Sequence, residues 1–114
     1  MSGARMRRVD VAMRQVLGDA LAQDLKDPRI GFVTVTDVKT SSDLRHARVY
    51  VSVLGTEPEQ EATLDGLRSA HGFLQGRIAA ELRFKRTPEL TFELDHTAAH
   101  AARLERLIEE AGGA

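Results

Sequence analysis

The sequence predicts an α+β fold in which helices cover one face of a three-stranded sheet. Three observations carry that expectation. Apolar residues at Met6, Val9, Met13, Val16, Leu17, Ala20 and Leu21 recur three and four apart, the period of one helix stripe. Two β-branched runs follow, Phe32 to Val38 and His46 to Val53, the second strictly alternating. Further on, a helical stripe at Leu74, Ile78 and Leu82 gives way to a third alternating run, Glu89 to Leu94.

The first helix should stop at Asp27-Pro28, because proline disfavours the helical region for the residue before it. Thr40, Ser41, Ser42 and Asp43 are turn formers that bond their own backbone, so the two strands beside them read as a hairpin. In its second strand Ala47, Val49, Val51 and Val53 face inward, while Arg48, Tyr50 and Ser52 face out. Thr56-Glu57-Pro58-Glu59 fits a capping box with proline in the first turn, and starts a second helix through Leu64 and Leu67. The acidic residues there complement the helix dipole. Ala70-His71-Gly72 then interrupts the run. Glycine costs a helix interior about 1 kcal/mol relative to alanine, which predicts a kink or break near Gly72. Leu90, Phe92 and Leu94 form the inward side of the third strand, and Ala101, Leu104, Ile108 and Ala111 a stripe on a closing helix that frays at its end. The order α-β-β-α-α-β-α does not begin with the strand that a ferredoxin-like unit requires.

A chain of 114 residues suits one domain spanning 1–114, with a core of about residues 5–108 and mobile termini. With no cysteine, a disulfide framework, a thiol nucleophile and a cysteine-ligated metal are all excluded. The composition, 42% apolar and 29% charged, is that of a globular protein rather than a disordered one. No apolar run approaches the roughly 20 residues of a membrane span, and the first eight residues lack the apolar core of a signal peptide. A cytoplasmic protein with no membrane partner is expected.

The net charge of −1 conceals four blocks of opposite sign. Arg5, Arg7, Arg8 and Arg14 against Asp10 make one basic block, and Arg77, Arg83, Lys85 and Arg86 against Glu81 make another. Glu57, Glu59, Glu61 and Asp65 oppose them, as do the acids between residues 89 and 110. Such a chain can be neutral in sum and still offer a cationic face to a polyanion. The plainer alternative is that the blocks are solvated helix faces. Thirteen of the sixteen basic residues are arginine, which suits bidentate phosphate contacts.

Four stretches together resemble the bacterial ribosome-binding factor A family: Gly31 to Val38, Asp43 to Val53, Ala70-His71-Gly72-Phe73, and Arg86 to Asp95. The likeness runs from about Arg5 to Ile108. It implies a KH-like fold of the second type. It also implies a cytoplasmic factor that binds the 30S subunit and its 16S rRNA late in maturation, assists processing of the rRNA 5′ end, and supports growth in the cold. A KH domain ordinarily clamps single-stranded nucleic acid with a Gly-x-x-Gly loop between two helices. This chain has none there. Ala70-His71-Gly72 instead matches the Ala-x-Gly kink of the resembled family, either as a direct RNA contact or as plain helix packing.

Arg77 and Arg83 lie off the Leu74, Ile78, Leu82 stripe, and Lys85 and Arg86 follow in the next turn, so these four form the main candidate RNA contact. Arg45 and Arg48 would extend it from the hairpin, unless they pair with Asp43 or Asp37. Arg7 and Arg8, with Arg5, offer a basic arm. His96 and His100 stand four apart but lack the third ligand and glutamate of a zinc helix, so no metal is expected. Ser41 and Ser42 have no base and acid to activate them, and no phosphate loop or dinucleotide fingerprint occurs. Neither a cofactor nor an enzymatic activity is expected, and the protein is expected to be monomeric. The competing class is a small α+β interaction or ligand-binding module, dimeric through a sheet edge.

Overall fold

The computed structural model describes residues 3–23 and 25–96. In chain order these form α1 (Gly3–Gln23), β1 (Val33–Thr40), β2 (His46–Val53), α2 (Glu57–Ser69), α3 (His71–Leu82) and β3 (Glu89–Leu94). The closing helix expected around Ala101 to Ala111 lies outside the described residues.

The sheet has the order β1-β2-β3, with β1 antiparallel and β3 parallel to the central β2. A parallel pair needs a crossover connection, and α2 with α3 supplies it. Inward residues follow the sequence reading on β2 and β3: Ala47, Val49, Val51, Val53, Leu90 and Phe92 are buried. On β1 the buried residues are Val35 and Val38, three apart. An odd spacing is impossible on a regular strand without turning one side chain to the wrong face. A bulge between Val35 and Asp37 absorbs the extra residue, so that Asp37 faces Tyr50 and Lys39 faces Arg48. Thr36 fixes the bulge, its hydroxyl lying 3.2 Å from the Tyr50 carbonyl and 2.6 Å from Asp95 Oδ2 beyond β3.

Met13, Val16, Leu17 and Ala20 of α1, Leu64 and Leu67 of α2, and Leu74 and Ile78 of α3 complete the core over the inner face of the sheet. α1 begins three residues before Met6 and ends at Gln23, ahead of the proline. Asp27 instead organises the turn that follows. Its carboxylate accepts from the Arg29 N–H at 2.9 Å and from Arg29 Nη2 at 2.7 Å. The Arg29 side chain, then the Arg29 amide, hold the Asp27 carboxyl down at about 2, against an ordinary 3.8.

α2 starts as a capping box: Thr56 Oγ1 accepts from the Glu59 N–H, and Glu59 Oε1 accepts from the Thr56 N–H. Its buried side also receives the loop before β1. The buried Thr63 hydroxyl donates to the Arg29 carbonyl and accepts from the Gly31 N–H, both at 3.3 Å. Ile30 lies so close to Gly66 that a Cβ there would stand 2.6 Å from Ile30 Cγ1. This is a glycine required by close approach rather than by backbone angle.

The interruption between helices is a single residue. Ala70, at φ −91° and ψ 5°, ends α2 and precedes α3. Its N–H bonds to the Gly66 and Leu67 carbonyls, and its carbonyl accepts from Leu74. The break thus lies at Ala70, the first residue of the Ala70-His71-Gly72 interruption, and Gly72 sits inside α3.

Gly66→Ala should destabilise the protein by roughly 1–3 kcal/mol, the usual cost of overpacking, measured by urea unfolding. An unchanged midpoint would mean that Ile30 withdraws freely. Because the Asp27 carboxyl is held low by folding, its contribution to stability is present above about pH 3.8 and lost as pH falls through about 2. In Arg29→Ala the Asp27 titration followed by NMR should move up from about 2 toward 3.8, and no movement would remove this pair from the turn.

Candidate nucleic-acid interface

Backbone contacts determine where the basic stretches meet. Asp10 Oδ1 accepts from the Thr40 N–H at 3.0 Å, and Arg14 Nη1 donates to the Thr36 carbonyl at 3.4 Å. α1 therefore runs antiparallel to β1. Asp10 is level with the last residue of β1, so the seven helical residues before it continue about 10 Å past the strand end, at 1.5 Å per residue. Arg5, Arg7 and Arg8 are exposed on that overhang. On the other side, the Glu89 N–H donates to the Arg45 carbonyl at 2.9 Å, and Glu89 pairs with His46 as β3 begins. The segment from Arg83 to Arg86, which leads into β3, thus reaches the same end of the sheet as the hairpin turn.

Three separate parts of the chain converge there: the start of α1, the β1–β2 turn, and the α3–β3 connection. The opposite end of β2 leads directly into α2, whose first turns carry Glu57, Glu59 and Glu61, with Asp65 one turn on. A net charge of −1 is thereby divided between a cationic end and an acidic end.

The expected residues fare differently. Arg83, Lys85 and Arg86 are exposed, and among the described residues none of them has a carboxylate partner. The same holds for Arg7 and Arg8. Arg45 Nε stands 3.8 Å from Asp43 Oδ2, a solvent-exposed pair that leaves the guanidinium available. The Asp43 carboxylate chiefly holds the turn, accepting from the Ser41 hydroxyl at 2.6 Å and the Arg45 N–H at 3.0 Å, and its pKa is lowered by those bonds, Ser41 first. Arg48 makes no ion pair with Asp37. It lies on the outer face of the sheet, where a hydrogen bond with the Tyr50 side chain and then the charge of Glu93 hold its guanidinium above the ordinary value.

Arg77 stands apart from these. Its side chain is only 28% exposed, and its Nε donates to Glu81 Oε2 at 3.0 Å one helical turn on. Being off the apolar stripe left it beside a neighbour four residues away, and that glutamate engages it. The exposed cations of this segment that lack a carboxylate partner among the described residues therefore begin at Arg83. Arg83 caps α3 in the left-handed region, at φ 51° and ψ 42°, and Leu44 in the hairpin turn has a positive φ of 60°. These are the only non-glycine residues with positive φ among the described ones, and each stands at the head of a cationic segment at the same end. Left-handed backbone costs an L-residue roughly 1 kcal/mol, and such positions concentrate at functional sites.

At the helix break, His71 is exposed and its Nδ1 lies 2.9 Å from the Arg68 carbonyl, which makes Nδ1 the donor. A groove of about 460 Å³ between the break and the outer edge of β3 is lined by Arg68, His71 and residues 89–93. Glu89 and Glu93 in that lining give it mixed charge. A Cβ on Gly72 would meet nothing within 4 Å, and its φ is not positive, so neither packing nor backbone geometry requires glycine there. Among the described residues no group of three or more His, Asp or Glu side chains is arranged to hold a metal ion, and no helix is long and apolar enough to cross a membrane. His100 lies outside the described residues.

A family model described as ribosome-binding factor A matches residues 5–108. This chain belongs to the ribosome-binding factor A family. Its fold is similar to a solution structure of a candidate ribosome-binding factor A from Thermotoga maritima, with 39% identity and a TM-score of 0.73 over 82% of this chain and 89% of that one. It is also similar to the crystal structure of ribosome-binding factor A from Thermus thermophilus, with 29% identity and a TM-score of 0.70 over 78% and 94%. A homology model of the Thermus thermophilus factor, fitted into the cryo-EM map of its complex with the 30S subunit, matches with 30% identity and a TM-score of 0.61 over 74% and 88%. The KH-like order of the family is the order found here, with Ala70 in place of the Gly-x-x-Gly loop.

Since nothing in the fold uses the missing side chain of Gly72, Gly72→Ala should leave the structure intact and raise the unfolding free energy by up to about 1 kcal/mol in urea melts. A marked loss of stability would show that the break itself needs glycine.

Proposed function

We propose that this protein is a non-catalytic assembly factor that binds the small ribosomal subunit through its 16S rRNA. It acts in the cytoplasm late in 30S maturation and assists formation of the rRNA 5′ end, with its largest effect on growth in the cold. One observation carries the reading: exposed cations from three distant parts of the chain share one end of the sheet, and among the described residues Arg83, Lys85 and Arg86 have no carboxylate to neutralise them. Family membership and the 30S complex of the Thermus thermophilus relative support it.

The chemistry favours backbone recognition. Arginine guanidinium groups bond phosphate oxygens in pairs, and such contacts position a protein on folded RNA without reading bases. Arg83, Lys85 and Arg86 form the centre of this surface, Arg45 and Arg48 its hairpin side, and Arg7 and Arg8 its arm. Arg77 contributes by fixing the last turns of α3 through Glu81. The left-handed turn at Arg83 sets the direction in which Lys85 and Arg86 leave the helix, so the site is largely formed before RNA arrives. Ala70, His71 and Gly72 lie to one side, where an open glycine permits close approach of an RNA backbone.

With about four to six phosphates neutralised, the log-log dependence of affinity on salt should have a slope of roughly −3 to −5. Co-sedimentation of the protein with purified 30S and 50S subunits checks both selectivity and slope. The triple variant Arg83→Glu, Lys85→Glu, Arg86→Glu should lose 30S association while keeping the wild-type circular dichroism and melting temperature. Unchanged association, or a slope near zero, would remove the cationic end from recognition. No association together with a concentration-dependent dimer would favour the interaction-module reading.

A further inference from the structure

The outer face of the sheet carries a second cluster, which shares only Arg48 with the backbone-recognition surface. Near the hairpin turn, Lys39, Thr40, Ser41, His46, Arg48 and Tyr50 line an open depression of about 490 Å³, within the size range of small-ligand clefts. Its composition is unusual for an idle sheet surface. The register sets Lys39 directly opposite Arg48, and like charges opposed across two strands destabilise a sheet. Compensation is partial: Lys39 Nζ is 3.9 Å from Asp37 Oδ2, both side chains more than half exposed, and Glu93, opposite Tyr50, acts on Arg48 through its charge without an ion pair between them. Tyr50 is half-buried on the same face, two residues along β2 from Arg48, with Asp37 opposite it on β1 and Glu93 opposite it on β3.

Opposed cations that the fold tolerates at a cost, next to an aromatic ring, are what a nucleotide needs: the charges meet a phosphate and the ring stacks on a base. We propose that this depression holds one unpaired nucleotide of single-stranded RNA, its base on Tyr50 and its phosphate between Lys39 and Arg48. The proposal rests on the RNA-binding reading above and adds to it a contact with an unpaired base. Charge selects RNA here over a protein strand, because a peptide backbone would leave Lys39 and Arg48 opposed and unanswered. The position agrees with the cationic end: Thr40, in the same depression, is the residue whose N–H bonds Asp10 of α1.

The molecule supplies its own probe. It has one tyrosine and no tryptophan, so its intrinsic fluorescence reports Tyr50 alone. Titration of the full chain with hexauridylate at low salt, corrected for absorption against free tyrosine, should give saturable quenching. A blunt RNA duplex should leave the signal unchanged. The double variant Lys39→Thr, Arg48→Thr should bind hexauridylate at least tenfold more weakly and melt at the same temperature or higher, because the like-charge pair is gone. Followed by the anisotropy of end-labelled hexauridylate, Tyr50→Phe should retain binding and Tyr50→Leu should weaken it, which separates stacking from the hydroxyl. Three results would overturn the site: hexauridylate binding with no change in Tyr50 emission, equal quenching in the double variant, or equally tight binding of inorganic tripolyphosphate, which would make it an anion site only. The same proteins in the 30S sedimentation assay keep the two ideas apart. Wild-type protein that fails to associate with 30S sinks the assembly-factor reading, whereas 30S association with an unresponsive Tyr50 sinks only the nucleotide site.

Discussion

The register of β1 on β2 is the constraint from which the other features follow. Val35 and Val38 both belong to the core, and their three-residue separation leaves the strand no regular way to bury them. The bulge at Thr36 resolves the conflict, and the Thr36 hydroxyl fixes it by reaching the Tyr50 carbonyl and Asp95. Beyond the bulge, Asp37 and Lys39 point outward and Thr40 ends the strand level with Asp10. A hairpin without it would turn Asp37 and Lys39 into the core, where an unpaired charge is far costlier than a bulge. The position of α1, the site of the hairpin turn and the facing of Lys39 on Arg48 all depend on that single extra residue.

Charge separation then arises from topology and not from any long-range pairing. A parallel β3 must start beside the hairpin turn, so the connection from α3 delivers Arg83, Lys85 and Arg86 there. An α2 that begins where β2 ends must put Glu57, Glu59 and Glu61 at the other end. Ion pairs such as Arg68 with Asp65 and Arg77 with Glu81 are local ones, three or four residues apart. They contribute little to stability and leave the two ends distinct. The field of such a molecule orients it toward a polyanion even when its total charge is near zero.

Much of this is legible without coordinates. The alternation of Ala47, Val49, Val51 and Val53, the capping box at Thr56 and Glu59, and the third strand at Glu89 to Leu94 follow directly from local pattern. The missing parts are those set by tertiary contacts. A parallel β3 cannot be told from an antiparallel one by its own residues. The odd spacing of Val35 and Val38 is a visible sign of a bulge, but only the pairing with β2 shows that it brings Lys39 against Arg48. Arg77 illustrates a different limit. Its position off the apolar stripe says nothing about a partner, whereas Glu81 four residues on is a standard helical neighbour that could have predicted the pair. The interruption at Ala70-His71-Gly72 is legible, but propensity cannot say which of the three breaks the helix: Ala70 carries the non-helical angles and Gly72 remains helical. Gly66, inconspicuous in sequence, is the glycine that packing demands.

The most direct test of the central claim is a backbone amide map of the labelled protein with a small-subunit rRNA fragment, recorded by NMR at low and high salt. Perturbations should cluster at residues 5–8, 43–48 and 83–86, fade together as salt rises, and spare 57–65. Perturbations centred on the acidic start of α2, or spread evenly over the surface and indifferent to salt, would contradict an RNA-binding end assembled from distant cations.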